Sequence, residues 1–426
     1  MARHPRRLPA RGAGATLALA LLAAARPAAA QLPSASGAAL GVADNFTAQA
    51  RGYHPVAWNP AGLGLAGNPR FSLALLSVRG IAGLGPVTVS ELADRQGELL
   101  PDEVKADWLQ RITEEGGQSG SIGGDVTYLA LSIGRVGLQA STVVRGRVNV
   151  APDGAELLLY GNAGRTGEAR DFSTGGSTID LVATSTLALS FGLPLGVRLG
   201  AAADQSFALG VTVKQVVGHF VVLAEDRGSR VSNQPLRIQA SFPAVHTSSG
   251  DTGMNKGAGF GLDLGAAWRG GSWTVAAALK NVINTFEWDE AKLTYRPGSA
   301  LIDRDSTRTD FDERPFAEAP QFLKDAIAEL KYDPVVALGL AFRPAPRLTV
   351  SADFRQRLGD GGQRRVDNRG PRDIVEADDR QIRRKMAAPP PGGQQCSDGH
   401  PVVGAEESRW WLGQREKMLG PAGPLT

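Results

Sequence analysis

The chain has 426 residues, with 46 Lys and Arg against 43 Asp and Glu, 53 glycines and one cysteine. Arg3, Arg6, Arg7, Arg11 and Arg26 stand in a first stretch of thirty residues that holds no acid, so the remainder carries 41 basic against 43 acidic groups. Near-neutral balance argues against a polybasic polymer-binding surface and against nucleic acid as a partner. The lone Cys396 excludes an internal disulfide.

The basic start, the apolar run 13–25 and the small-residue exit Ala28-Ala29-Ala30 read as a secretory signal peptide, 1–30, cleaved near Ala30. The expected location is the cell outer membrane of a Gram-negative envelope. Next, "RGYHPVAWNPAGLGLAGNPRFSLAL" (51–75) passes from a turn-rich segment to an alternating strand at Phe71. Pro60 fixes its own φ and holds Asn59 extended, and Asn59 can bond the backbone just beyond. Gly62 and Gly64 permit close approach or positive φ. By spacing alone, this stretch is equally a corner or a site.

Period-2 alternation then recurs. In "RVGLQASTVVRGRVNV" (135–150), Val136, Leu138, Ala140, Thr142, Val144 and Val148 oppose Gln139, Ser141, Arg145, Arg147 and Asn149. In "GAGFGLDLGAAWRG" (257–270), Phe260, Leu262, Leu264 and Trp268 oppose glycines, Asp263 and Arg269. About ten strands are expected, at 71–79, 126–134, 135–150, 177–192, 205–223, 235–243, 257–270, 272–282, 334–343 and 347–357. Their second face is small residues with isolated charges: Arg145, Arg147, Asp180, Lys214, Asp263, Arg269, Lys280, Asp353 and Arg355. That mixture suits a barrel lumen, and the apolar face suits lipid. The predicted class is therefore all-β: a transmembrane antiparallel β-barrel over 71–358. A secreted β-sandwich or solenoid would wet its second face with long charged side chains. Tight turns alternate with longer connections (151–176, 224–234, 244–256, 283–333), and helical inserts are expected at 100–112 and 320–330.

The tail 363–426 has no alternation and a proline run. It reads as a disordered or frame-shifted segment, which would leave the barrel incomplete at its C-terminus. Catalytic, cofactor and metal sites are not expected: no Gly-x-Ser-x-Gly, His-x-x-x-His or Cys-x-x-Cys occurs, and the chain is not read as an enzyme. His219 is read as a loop-rim histidine. In "LIDRDSTRTDFDE" (301–313), Asp303, Asp305 and Asp310 could take Ca²⁺, but Arg308 occupies the position where an EF-hand needs Gly.

Several motifs in order resemble FadL-like outer-membrane barrels: "YHPVAWNPAGLGLAGNPRFSLALLSV", "ELLPDEVKADWLQRI", "LLLYGNAG", "ALKNVINT" and "YDPVVALGLAFRPAPRLTVSADF". They are nearest a branch of unassigned function. The resemblance implies a 14-stranded barrel with the N-terminal segment (31–70) folded inside as a plug. Asn59, Pro60 and Ala61 carry over as hatch motif, beside Gly62, with Tyr53, His54 and Trp58 facing the lumen. It also implies porin-like passage of small hydrophobic or amphipathic solutes, with outer-membrane lipid and the barrel-assembly machinery as partners. The alternative is a non-transporting structural or secretion-scaffold barrel, or a secreted β-sandwich binding protein.

Overall fold

The computed structural model describes residue 32 and residues 37–358 apart from 198–203, 249, 251–252 and 346. The expected leader and the tail 363–426 lie outside the described residues. Nine long antiparallel strands form one sheet in chain order. They are β1 (Phe71–Gly85), β2 (Gln118–Ile133), β3 (Val136–Val150), β4 (Thr178–Leu195), β5 (Gln205–Glu225), β6 (Gly257–Gly270), β7 (Trp273–Asn284), β8 (Val335–Ala345) and β9 (Leu348–Arg357). Each pairs with its sequence neighbour, and among the described residues β1 and β9 are the sheet's two edges.

The sheet curls strongly. Asp44, which precedes β1, lies 3.6 Å from Arg79 of β1, and its carbonyl accepts from Arg355 of β9. One residue thus reaches both edges. The protein is therefore mostly β, an open, curled half-barrel sheet with few helices, and no helix of the described residues is long and apolar enough to cross a membrane. Among the described residues the wall has nine strands, and these do not by themselves form the closed ring of fourteen that was implied.

Polarity across this wall is inverted relative to a water-soluble sheet. On β4, Thr184, Thr186, Ala188 and Ser190 are buried, while Leu187, Leu189 and Phe191 are exposed. On β5, Thr212 and Lys214 are fully buried while Leu209 and Val213 are exposed. Apolar atoms are common on any surface, but a buried ammonium is rare unless paired. Lys214 Nζ donates to Asp263 Oδ1 and to Asn281 Oδ1, both at 2.5 Å, and Asp263 also accepts from the Asn281 backbone N–H at 2.8 Å.

All long connections lie at one end of the sheet, opposite the short turns. Tight turns join Ile133 to Val136 and Gly270 to Trp273, with Gly134 and Gly271 at positive φ. At the long-loop end the chain builds an ordinary apolar core. Helix α1 (Gly37–Gly41) belongs to the N-terminal segment and α2 (Val89–Ala93) to the β1–β2 connection. The longer α3 (Asp102–Glu114) packs Trp108 and Ile112 against Ala155 of α4 (Pro152–Tyr160). Helix α5 (Gln321–Glu329) lays Leu323, Ala326 and Ile327, with Leu330 just beyond, against Val221 and Leu223 of β5 and against Phe286 and Trp288. Each such side chain contributes about 1.5–3 kcal/mol by burial. The segment expected as a wall strand at 235–243 is instead Leu236–Ser241, in a separate sheet of five short strands formed by the connections. Its hydrogen-bond partners there are Arg230–Asn233 and Ser299–Ile302.

Lys214→Met strands the Asp263 carboxylate in the wall and is expected to cost about 3–5 kcal/mol, with Lys214→Met/Asp263→Leu regaining most of it. Urea denaturation of both variants checks this; equal loss in the single and the double variant contradicts it.

Candidate functional site

The concave face of the sheet is occupied by the chain's own N-terminal segment, residues 44–68. Its centre is a single turn of 3₁₀ helix, Pro60–Leu63, for which Asn59 is the N-cap with φ −155° and ψ 107°. That is the extended conformation the following proline imposes. Asn59 Oδ1 accepts from the Ala61 N–H at 3.0 Å, and Nδ2 donates to the carbonyls of Ala266 on β6 and Ala277 on β7, each at 3.1 Å. Ala266 and Ala277 are register partners, so one amide spans the joint between two wall strands.

The turn lies flat because the wall beneath it lacks side chains. A Cβ at Gly192 would fall under 3.0 Å from the backbone of Gly64, and one at Gly210 equally close to the backbone of Pro60 and Ala61. Strand glycines mark such backbone approaches. Gly265 stands in the same way beneath Asn59.

Charges on the inner wall then fasten the rest. Asp353 of β9 accepts from the backbone N–H groups of Phe46 (3.0 Å) and Thr47 (2.9 Å) and from the Thr47 hydroxyl (2.6 Å). Arg355 donates to Asp353 at 2.8 Å and lies 4.5 Å over the Trp58 ring. Lys280 of β7 donates to the Ala57 carbonyl at 2.7 Å and sits 5.6 Å from the same ring. Trp58 is buried, meeting two cations and the edge of Phe46. His54 packs on Phe46 and Tyr53, with its Nδ1 buried and without a hydrogen bond.

The polar residues singled out by alternation thus divide. Arg269 (to the Ala66 carbonyl, 3.2 Å), Lys280, Asp353 and Arg355 hold the N-terminal segment. Lys214 and Asp263 pair with each other, Arg145 pairs with Asp125 at 2.6 Å, and Arg147 stands opposite Asp180 in the β3–β4 register. Asp44, Phe46, Thr47 and Asn281 were missed. Of these, only Asp44 and Asn281 carried a signal, as polar residues in otherwise small or apolar surroundings. In the 301–313 loop, Asp303 is taken up by the N–H groups of Asp305 and Ser306. His219 lies on the outer face: its Nε2 is 2.6 Å from Ser185 Oγ, which is 2.5 Å from Thr142 Oγ1, which in turn accepts from Tyr128 at 3.0 Å.

Fold and site define a β-sheet protein whose curled, polar-lined wall is filled by its own N-terminal segment. Residues 89–354, well over half of the chain, match the family described as F plasmid transfer operon, TraF, protein, and the chain belongs to that family. No curated protein and no solved structure matches it. The family assignment overturns the resemblance to FadL-like transporters and, with it, the FadL-like and porin-like transport expectations. The hatch motif that led that resemblance lies before residue 89 and follows from local chemistry: a proline at the first helical position and an asparagine cap arise wherever a short turn starts. The motif therefore discriminates poorly between families.

Asn59→Ala removes three hydrogen bonds and is expected to destabilise by about 1–3 kcal/mol, with the far-ultraviolet β signal retained. Asn59→Asp, which turns a carboxylate oxygen toward two carbonyls, should be worse. Thermal midpoints and limited proteolysis within 37–70 check this order. Burial also lowers His54 from its ordinary 6.5 to about 4. Between those values the unfolded chain takes a proton that the folded one refuses. Stability is therefore full above pH 6.5 and falls as pH drops toward 4. The midpoint should decline on acidification from pH 7 to 4.5, and His54→Gln should flatten that slope; an unaltered slope contradicts it.

Proposed function

We propose that the chain is an outer-membrane, barrel-type component associated with conjugal transfer, acting as a plugged structural or secretion scaffold. The observation that carries this reading is the anchoring of the N-terminal segment to three wall strands: Asn59 bonds β6 and β7, Lys280 of β7 holds Ala57, and Asp353 and Arg355 of β9 hold residues 44–47. A plug held by buried, charge-assisted bonds suits a scaffold better than a gate that opens at every passage. Family membership supports the transfer setting.

The membrane setting rests on the inverted wall. Its exposed apolar face has two markers at different heights. Trp273 stacks on Phe342 at 4.3 Å near the short turns, and the Tyr128–Thr142–Ser185–His219 chain of hydroxyls and imidazole lies toward the long loops. On β4 the stretch 185–195 separates the two levels. That is the length of a tilted strand crossing lipid, about 9–11 residues. Passage of small hydrophobic or amphipathic solutes would require the N-terminal segment to move.

Reconstituted into planar bilayers, the wild-type chain should give no sustained conductance, whereas Gly210→Leu, which evicts the Pro60–Leu63 turn, should raise it. Steady wild-type conductance would favour passage. Leu189→Arg on the outer face should lower membrane insertion by about 2–4 kcal/mol, and Leu158→Arg on α4 should not. Equal insertion of the two variants, read by flotation with liposomes, contradicts the lipid-facing assignment.

A further inference from the structure

Three arginines, one of which (Arg269) also holds the Ala66 carbonyl, converge at the short-turn end. A cavity of about 350 Å³ lies between the N-terminal segment and the wall there. It is lined by Arg51 and Gln49 from the segment, Arg269 at the end of β6, Ser272 in the turn before β7, Thr274 at the start of β7, and Arg343 of β8. Among the described residues no carboxylate lines it.

This is unlike the other buried or half-buried arginines. Arg145, Arg170 and Arg355 each meet a carboxylate, at 2.6, 2.5 and 2.8 Å. Among the described residues, Arg51 and Arg269 instead donate only to backbone carbonyls: Arg51 to Ala48 (3.3 Å) and Ala50 (2.7 Å), Arg269 to Ala66. Arg343 is exposed and, among the described residues, makes no side-chain hydrogen bond. Three guanidinium groups in one cavity repel one another, and each retains N–H donors of a planar fork that fits oxyanions. Burial first, and then the charges of Arg269 and Arg343, push the Arg51 guanidinium down to about 10.

We propose that this cavity binds a phosphate-type oxyanion, gripped by Arg51, Arg269 and Arg343 with the Ser272 and Thr274 hydroxyls as neutral donors. Because Arg51 belongs to the N-terminal segment and Arg269 and Arg343 to the wall, such a ligand ties the two together at the end opposite the apolar cap. The inference needs only the cavity and its arginines, and stands whether or not the wall sits in lipid. A free phosphate and a phospholipid headgroup present the same chemistry.

The purified full chain, in phosphate-free buffer, is titrated calorimetrically with pyrophosphate and, separately, with phosphatidylglycerol in detergent micelles. Binding should weaken as salt is raised. Arg343→Gln should reduce affinity about tenfold or more, and Arg51→Gln/Arg343→Gln should abolish it. The Arg343 side chain holds nothing among the described residues, so an unchanged thermal midpoint in that variant separates lost binding from lost structure. Pyrophosphate binding lost in the variants identifies a free anion, and loss confined to phosphatidylglycerol identifies a lipid headgroup. No binding of either probe, or equal binding by wild type and Arg343→Gln, overturns the proposal.

Discussion

Where the Asn59–Gly64 turn lies on Gly192 and Gly210, main chain meets main chain with no side chain between. Contact that close leaves no room for water, so each polar backbone group of the turn needs a partner from the turn or the wall. Asn59 meets that need. Its amide has both an acceptor and donors, and all are used: inward to Ala61, outward to two neighbouring strands. With the turn seated, Trp58 is held against Arg355 and Lys280, and the chain before it reaches Asp353 and finally Asp44, which meets both edges of the sheet. The curl of the sheet and the path of the segment are thus mutually dependent.

Two kinds of interior coexist in this chain. The wall is polar within, where Lys214–Asp263 and the hydroxyls of Thr186, Ser190 and Thr212 are buried, and apolar without. The cap at the long-loop end is apolar within, around Trp288, Phe286 and Leu323. The change occurs along single strands. On β5, Lys214 faces the polar interior, and Val221 and Leu223, a few residues later, face the apolar core. Strands β4 and β5, at 18 and 21 residues, are long enough to serve both.

Legibility followed contrast between faces. Strand β3 was readable because Leu138 and Val144 alternate with Gln139 and Arg145. The far half of β1 and the near half of β2 were not: Gly80–Gly85 pairs with Ser119–Gly124, a glycine- and serine-rich stretch with little difference between its faces. Leu236–Ser241 alternates too, though more weakly than the strongest wall strands. Its place in the separate sheet depends on partners about sixty residues away, at Ser299–Ile302, which no local pattern reports. The nine polar wall residues were found by alternation, but their partners were not. Nothing near Asp353 in sequence announces that it receives the N–H groups of Phe46 and Thr47, some three hundred residues earlier.

By itself, the sequence determined whatever depends on neighbouring residues: period-2 strands, the turns at Gly134 and Gly271, the apolar stripe of α5, and the extended Asn59 before a proline-led turn. These follow from dihedral restriction and side-chain alternation over a few residues. Tertiary structure decided what depends on distance through space: which glycines form the floor beneath the plug, which inner charges pair and which hold the segment, and that three arginines from separate stretches share one cavity. Long-range contacts are set by the curl of the whole sheet, and a curl built from nine strands leaves no imprint on any one of them.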